Sequence, residues 1–311
     1  MNTVVRKLLR EGRMLFHRHR PEAEQVAIER RLRGRDEFNM LSEADCVIVS
    51  FGKSGRTWVR VLLSRFYQQK YGLSERHLLV FDNLHRRNPA IPKIFFTHDN
   101  YLKDFTGHAD SKADYYGKKV VLLVRNPADV AVSQYFQWKF RMRSRKKTIN
   151  QYPTGEGEVG IFDFVMRPQS GLKKIVDFMN LWAAEADRIG ALHILRYEDL
   201  RRAPEATLGR LLAFLGTPGS AEQLADAVEF ASVDNMRKLE TKRVFWLSGS
   251  RMAPADRSNP DSYKVRRGKV GGYRDYFDEA QIARIDAMIG EHLSPFFGYG
   301  SVRDFEPAAN G

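Results

Sequence analysis

The hydrophobic positions along the chain change period several times, and each change marks an element. Residues 46–51 (CVIVSF) form a β-branched apolar run of strand length closed by Gly52, which reads as a buried strand. From Thr57 the period lengthens, with Val59, Leu62, Leu63, Phe66 and Tyr67 sharing one helical face until Gly72. A strand therefore feeds a helix through a tight loop. Ile94–Thr97, 120–124 and 192–195 are further apolar runs of strand length, separated by helical patterns such as Pro127–Phe140 and 172–189. The alternation predicts an α/β fold, a central parallel sheet with helices on both faces. Segments 151–160 and 247–267 read as long loops, because Gly, Pro, Ser and charge occur there without apolar periodicity.

Residues 1–16 place Val5, Leu8, Leu9, Gly12, Leu15 and Phe16 along one helical face, with Arg6, Lys7, Arg10 and Arg13 elsewhere. Such a segment suits an ordinary surface helix or an anionic membrane surface. No repeat, low-complexity tract or Pro/Gly-rich linker divides the chain. The expected organisation is a basic helical extension over 1–40, packed on one domain over 41–311. No apolar run approaches the roughly 20 residues of a membrane span, the N-terminus lacks a secretory signal, and Cys46 is the only cysteine. These features predict a cytoplasmic protein without disulfides, with at most a peripheral contact at the inner membrane face.

Composition narrows the picture further. At 43% hydrophobic and 29% charged residues, the disordered, collagen-like and disulfide-rich classes are excluded. The 51 Lys and Arg against 38 Asp and Glu leave a net charge of +13, which favours anionic partners: nucleic acid, phosphorylated cofactors or acidic lipid.

The most informative stretch is Ser50-Phe51-Gly52-Lys53-Ser54-Gly55-Arg56-Thr57-Trp58, between the first strand and its helix. Small residues let backbone N–H groups close around a phosphate, the helix N-terminus adds positive potential, and Lys53 supplies a full charge. A Walker A loop would need a glycine where this chain has Val47, inside the strand. ATP or GTP hydrolysis is thereby disfavoured.

A lysine followed by Ser-Gly-x-Thr-Trp resembles instead the phosphosulfate loop of the cytosolic-type sulfotransferases, which use 3′-phosphoadenosine 5′-phosphosulfate (PAPS). Arg125-Asn126-Pro127-Ala128-Asp129-Val130-Ala131-Val132-Ser133 is similar to that family's RNPxDxxVS motif for the 3′-phosphate. Arg266-Arg267-Gly268-Lys269-Val270-Gly271-Gly272-Tyr273 resembles its C-terminal RKGxxGDW. The resemblance implies the P-loop-type sulfotransferase fold and a metal-independent transfer of the sulfuryl group from PAPS to a hydroxyl or amine, releasing PAP.

It also implies roles. Lys53, Ser54, Gly55, Arg56 and Thr57 would surround the phosphosulfate, with Lys53 on the leaving oxygen. Trp58, Tyr197, Ser232 and Met236 would hold the adenine. Arg125 and Ser133 would bind the 3′-phosphate, Ser133 also touching the lysine, and Arg266, Arg267 and Gly268 would close over it. His98, at the end of Phe95-Phe96-Thr97-His98, is similar to the family's Lys-Thr-His segment and is assigned as the base; a strand end is also where open parallel sheets hold ligands. His77 and His85 are reserve candidates. The chain departs from the family pattern at Gly52, where a proline is usual, at Arg267 and at Gly271-Gly272-Tyr273.

Two rival readings share some of these features. A P-loop kinase would share the fold but requires magnesium and the missing Walker spacing. A nucleic-acid-binding protein would draw on the net charge and on the run Lys139, Arg141, Arg143, Arg145, Lys146, Lys147, although such runs are commonly solvated faces. The basic surface and amphipathic N-terminus favour a carbohydrate or lipid-linked acceptor over a small neutral phenol. The family's C-terminal dimerisation motif, KxxxTVxxxE, is not evident, so no oligomeric state follows from the resemblance.

Overall fold

The computed structural model describes residues 3–155, 159–242, 256 and 258–299. Residues 243–255 and 257, which include the first part of the expected 247–267 loop, lie outside the described residues. In chain order the elements are α1 (Thr3–Leu15), α2 (Glu22–Glu43), β1 (Cys46–Ser50), α3 (Arg56–Tyr71), β2 (Ile94–Thr97), α4 (Leu102–Thr106), β3 (Lys119–Val124) and α5 (Pro127–Phe140). There follow α6 (Ser144–Ile149), α7 (Ile161–Met166), α8 (Leu172–Ala184), β4 (Ala191–Arg196), α9 (Tyr197–Arg202), α10 (Pro204–Phe214), α11 (Ala221–Phe230), α12 (Val233–Lys242) and α13 (Glu279–His292).

The four strands pair in parallel in the order β2-β1-β3-β4. The central strands β1 and β3 are buried almost throughout because both sheet faces are covered there, whereas in β4 at the edge only Leu195 is buried; the side chains still alternate. Val47 and Val49 of β1, with Val120, Leu122 and Val124 of β3, enter one core, shared with Ala131 of α5, Trp182 of α8 and Ile285 of α13. Cys46 and Ile48, with Val121 and Leu123, enter the other, shared with Leu62 and Phe66 of α3 and Leu211 of α10. Each fully buried aliphatic side chain contributes on the order of 1.5–3 kcal/mol relative to exposure. The expected two-faced α/β sheet is what the chain forms.

The helix expected over 172–189 is shorter than its pattern. It ends at Ala184 because Glu185 turns to accept hydrogen bonds from the Lys112 amide at 3.1 Å and the Ser111 hydroxyl at 3.2 Å. The expected boundary at residue 40 falls inside α2, which runs on to Glu43. That helix is fastened to the sheet side of the molecule: Arg30 pairs with Asp104 of α4 at 2.9 Å and donates to the Asn100 and Ile149 carbonyls. At Gly34 a Cβ would meet the Tyr101 carbonyl at 2.2 Å, so only glycine permits this approach.

Candidate active site

The chain leaves β1 to build β2 on one side and returns to build β3 on the other, so the crevice between β1 and β3 is a topological switch point. All four strands end toward the same edge. β1 leads into the 50–57 loop, β2 into His98, β3 into Arg125 and β4 into Tyr197. A cleft of about 800 Å³ lies there, lined by Lys53, His98, Arg125, Ser133 and Tyr197 among others.

The loop after β1 is conformationally strained where it carries charge. Lys53 has φ 75°, a left-handed conformation uncommon for a residue with a Cβ. Gly55 has φ 101°, and a Cβ there would strike the Tyr197 ring at 2.7 Å. Enclosure by protein, then the positive charges of Arg141, Arg266 and Arg125, push the Lys53 ammonium down to about 7. Lys264 lies well below its usual range for the same reason, with Lys53 and Arg56 as the leading neighbours. Arg125 Nε is buried and has no hydrogen-bond partner among the described residues. The site therefore concentrates cations that an anionic ligand would relieve.

His98 Nδ1 lies 2.8 Å from the Ser50 carbonyl oxygen. Nδ1–H donates to that carbonyl, which assigns the tautomer and leaves Nε2 with its lone pair. Burial and the charge of Arg56 hold His98 well below its usual range, against the opposing effect of the Ser50 bond. It is neutral, and so able to accept a proton.

Three carboxylates tie the separated segments together. Asp129 accepts from the Arg125 guanidinium at 3.1 Å and from the amides of Gly271 and Tyr273, both at 3.0 Å. Glu240, fully buried, accepts from the amides of Lys264 and Val265 at 2.7 and 3.1 Å and pairs with Arg141 at 3.7 Å. Glu198 accepts from the Asn126 amide at 2.8 Å and the Tyr299 hydroxyl at 2.6 Å. Asn126 itself caps α5, its side-chain oxygen taking the Ala128 and Asp129 amides, with Pro127 in the first turn.

Of the residues expected from sequence, Lys53, Gly55, Arg56, Thr57 and Trp58 line the cleft, as do His98, Arg125 and Ser133. Tyr197, Met236, Arg266, Arg267 and Gly268 line it as well. Trp58 meets Tyr197 edge-on at 5.6 Å and donates its Nε1–H to the Ala231 carbonyl at 2.9 Å. Arg125 lies over the Tyr197 ring at 4.4 Å, and Arg266 over Phe136 at 3.6 Å while donating to the Tyr276 hydroxyl. Arg267 pairs with Asp275 at 2.6 Å. Ser54 is buried below the loop, and exposed Ser232 accepts from the Asn235 amide at 3.4 Å; neither lines the cleft. His77 and His85 do not line it either; His85 Nδ1 lies 2.7 Å from the Ile91 carbonyl.

Sequence reasoning passed over Asp129, Glu240 and Lys264. Asp129 sits inside the RNPxD stretch and could have been found there. Glu240 and Lys264 carry no local signal.

A sulfotransferase domain family model matches residues 43–297 of the chain. Cytosolic sulfotransferase 15 of Arabidopsis thaliana is 25% identical over 279 residues, covering 81% of this chain and 72% of its own. Flavonol 3-sulfotransferase of Flaveria bidentis is 25% identical, covering 83% and 86%. Among solved structures, mouse sulfotransferase SULT7A1 complexed with PAP superposes with a TM-score of 0.53 at 19% identity, over 83% of this chain and 89% of that one. Retinol dehydratase in a complex with retinol and PAP gives 0.54 at 19% identity, over 84% and 85%. At these identities the structural matches speak for the fold.

Proposed function

The chain belongs to the sulfotransferase family, whose domain model covers most of it, and from that premise we propose how its own residues carry out sulfuryl transfer from PAPS. The observation that carries the reading is the convergence of four strand ends, bringing Lys53, His98, Arg125 and Tyr197 to one cation-rich cleft.

PAPS supplies the sulfuryl group and carries roughly four negative charges, whose desolvation several cations must offset. The cleft fits such a ligand, since Arg125 Nε is unpartnered and Lys53 and Lys264 are held below their usual ranges by burial and by the neighbouring cations. The 52–57 loop and the start of α3 receive the phosphosulfate, while Arg125, Ser133 and the 266–268 segment receive the 3′-phosphate. Trp58, Tyr197 and Met236 form the adenine wall.

His98 Nε2 takes the proton of the acceptor hydroxyl as the new O–S bond forms. The bond between sulfur and the bridging phosphate oxygen breaks, and Lys53 stabilises the charge left on that oxygen. Ser133, on the cleft wall, is assigned to steady both the phosphate and the lysine. Calorimetry with PAP, followed by transfer of labelled sulfate from PAPS, tests the assignment; a folded protein without measurable affinity for PAP would refute it.

Relatives named for flavonol, and a neighbour solved with retinol, support a small-molecule acceptor. Relatives named cytosolic support a cytoplasmic location, and no helix among the described residues is long and apolar enough to cross a membrane. We extend the reading to a peripheral membrane contact with a carbohydrate or lipid-linked acceptor. In α1 and the turn after it, Leu8, Leu9, Leu15 and Phe16 are 61, 51, 53 and 78% exposed, while Arg10 turns inward to Asp36 at 2.7 Å. The apolar side faces out, which suits insertion at a lipid interface. Flotation with anionic liposomes should be lost on deleting residues 1–20; unchanged flotation removes the idea.

A further inference from the structure

The cations that meet the donor are one group in this cleft. A second group lines the part of it walled by α2, α4, α6, α8 and the segment between α4 and β3: Arg30, Lys103, Lys112, Lys146 and Lys174. Two of these are matched, Arg30 by Asp104 at 2.9 Å and Lys112 by Asp99 at 2.6 Å. Among the described residues no carboxylate pairs with Lys103, Lys146 or Lys174.

Lys174 donates to the Asn150 carbonyl at 2.7 Å and lies 4.5 Å from the centre of the Tyr152 ring. Burial, and then the positive charges of Arg30 and Lys103, push it down to about 8. Lys146 is open to the cleft and near enough to His98 for its charge to bear on the imidazole. Its neighbours on α6 are otherwise engaged, Arg145 with Glu29 at 2.8 Å and Lys147 over the Trp138 ring at 4.6 Å. The carboxylates on this side offer little compensation. Asp99 is held by Lys112 and the Tyr115 hydroxyl, and Asp177 by Lys173 at 2.7 Å; Asp110, exposed like Lys103 and Lys146, is one carboxylate against three lysines.

Like charges gathered around a cavity raise its free energy unless an anion joins them. A wall built for neutral, apolar acceptors would not be lined this way. We propose that the acceptor carries an anionic group, a carboxylate or a phosphate or sulfate ester, received by Lys103 and Lys174, with Lys146 beside the hydroxyl presented to His98. The inference rests on the sulfotransferase reading and narrows its substrate class.

The test uses full-length protein saturated with PAP and three glycosides of one sugar: 4-nitrophenyl β-glucoside, its 6-phosphate, and 4-nitrophenyl β-glucuronide. At low salt the phosphate or the glucuronide should bind about tenfold or more tightly than the neutral glucoside, a preference that shrinks as salt is raised. The arm that binds tighter identifies the anion. The double variant Lys103→Gln/Lys174→Gln should lose the preference while keeping its PAP affinity and unfolding temperature, and Lys146→Gln should weaken all three glycosides alike. Equal or tighter binding of the glucoside, no binding of any glycoside, or a preference that survives the double variant overturns the proposal. Loss of PAP binding by the unaltered protein would instead refute the donor assignment, and is read in a separate titration.

Discussion

The donor half and the acceptor half of the cleft are made in different ways. In the donor half, carboxylates bridge segments far apart in sequence: Asp129 holds Gly271 and Tyr273, Glu240 holds Lys264 and Val265, and Glu198 holds Asn126 and Tyr299. Most of these bonds end on backbone amides, so they position the loops that carry the cations. In the acceptor half, separate helices contribute lysine ends, and the pairs that exist, such as Arg30 with Asp104, lock helix to helix. In the proposed arrangement the donor meets a crosslinked frame, and the acceptor meets side-chain ends. Charge-assisted bonds to a buried carboxylate are among the stronger polar interactions, which is why the first half can hold strained residues such as Lys53.

The largest effect expected is on chemistry alone. His98→Ala should lower turnover by roughly 10²–10⁴-fold with PAP affinity little changed, measured by label transfer and calorimetry. A parallel loss of PAP affinity would mean that His98 serves the donor half and the division is drawn in the wrong place.

Next comes the crosslink. Asp129→Ala strands two amides and the Arg125 guanidinium. PAP affinity should fall on the order of 10–100-fold, from a cost of about 1–3 kcal/mol for groups left unpaired, while acceptor binding at saturating PAP changes far less. Equal losses on both sides would show the two halves to be one unit.

A smaller effect, graded with pH, follows from Lys53. With its value near 7 instead of 10.5, it is mostly neutral in the free protein above pH 8, and bound phosphate favours the charged form. PAP binding should therefore take up protons, and affinity should fall as pH rises from about 8 to 10, by up to roughly tenfold per unit for each proton gained. The same depression means that the unfolded chain binds more protons between 7 and 10.5, so this lysine lowers the stability of the ligand-free protein below that window and the penalty fades as pH rises through it. Calorimetry at pH 8.5 in two buffers of different ionisation heat measures the uptake, and Lys53→Met should remove about one proton of it. Binding heats independent of buffer would contradict the cation-crowding account.

Much of the fold was legible because its signals are local. Ile94–Thr97 and Pro127–Phe140 form with the limits their patterns indicate, since an apolar strand run and an Asn-Pro helix start need no distant information. The region 172–189 was misread in length because the contact that stops α8 comes from Ser111 and Lys112, invisible to periodicity. The three segments proposed to bind the donor were legible for a like reason: a phosphate loop must be small-residue backbone followed by a helix, and that demand is written in consecutive residues. The basic run 139–147 shows the opposite case. One stretch of similar letters divides into Arg141 facing Glu240, Arg145 facing Glu29, Lys147 on Trp138 and Lys146 open to the cleft.

From its letters alone the chain specified a two-faced parallel sheet, the strand-loop-helix cradle and the residue types that grip a polyanion, because each depends on the order and chemistry of neighbouring positions. Tertiary structure decided which cations share a cavity and which find carboxylates, and with them the low value of Lys53, the lone pair on His98 Nε2 and the open lysines of the acceptor wall. Coulomb and desolvation energies depend on distance through space, and folding sets those distances between residues that the chain keeps far apart.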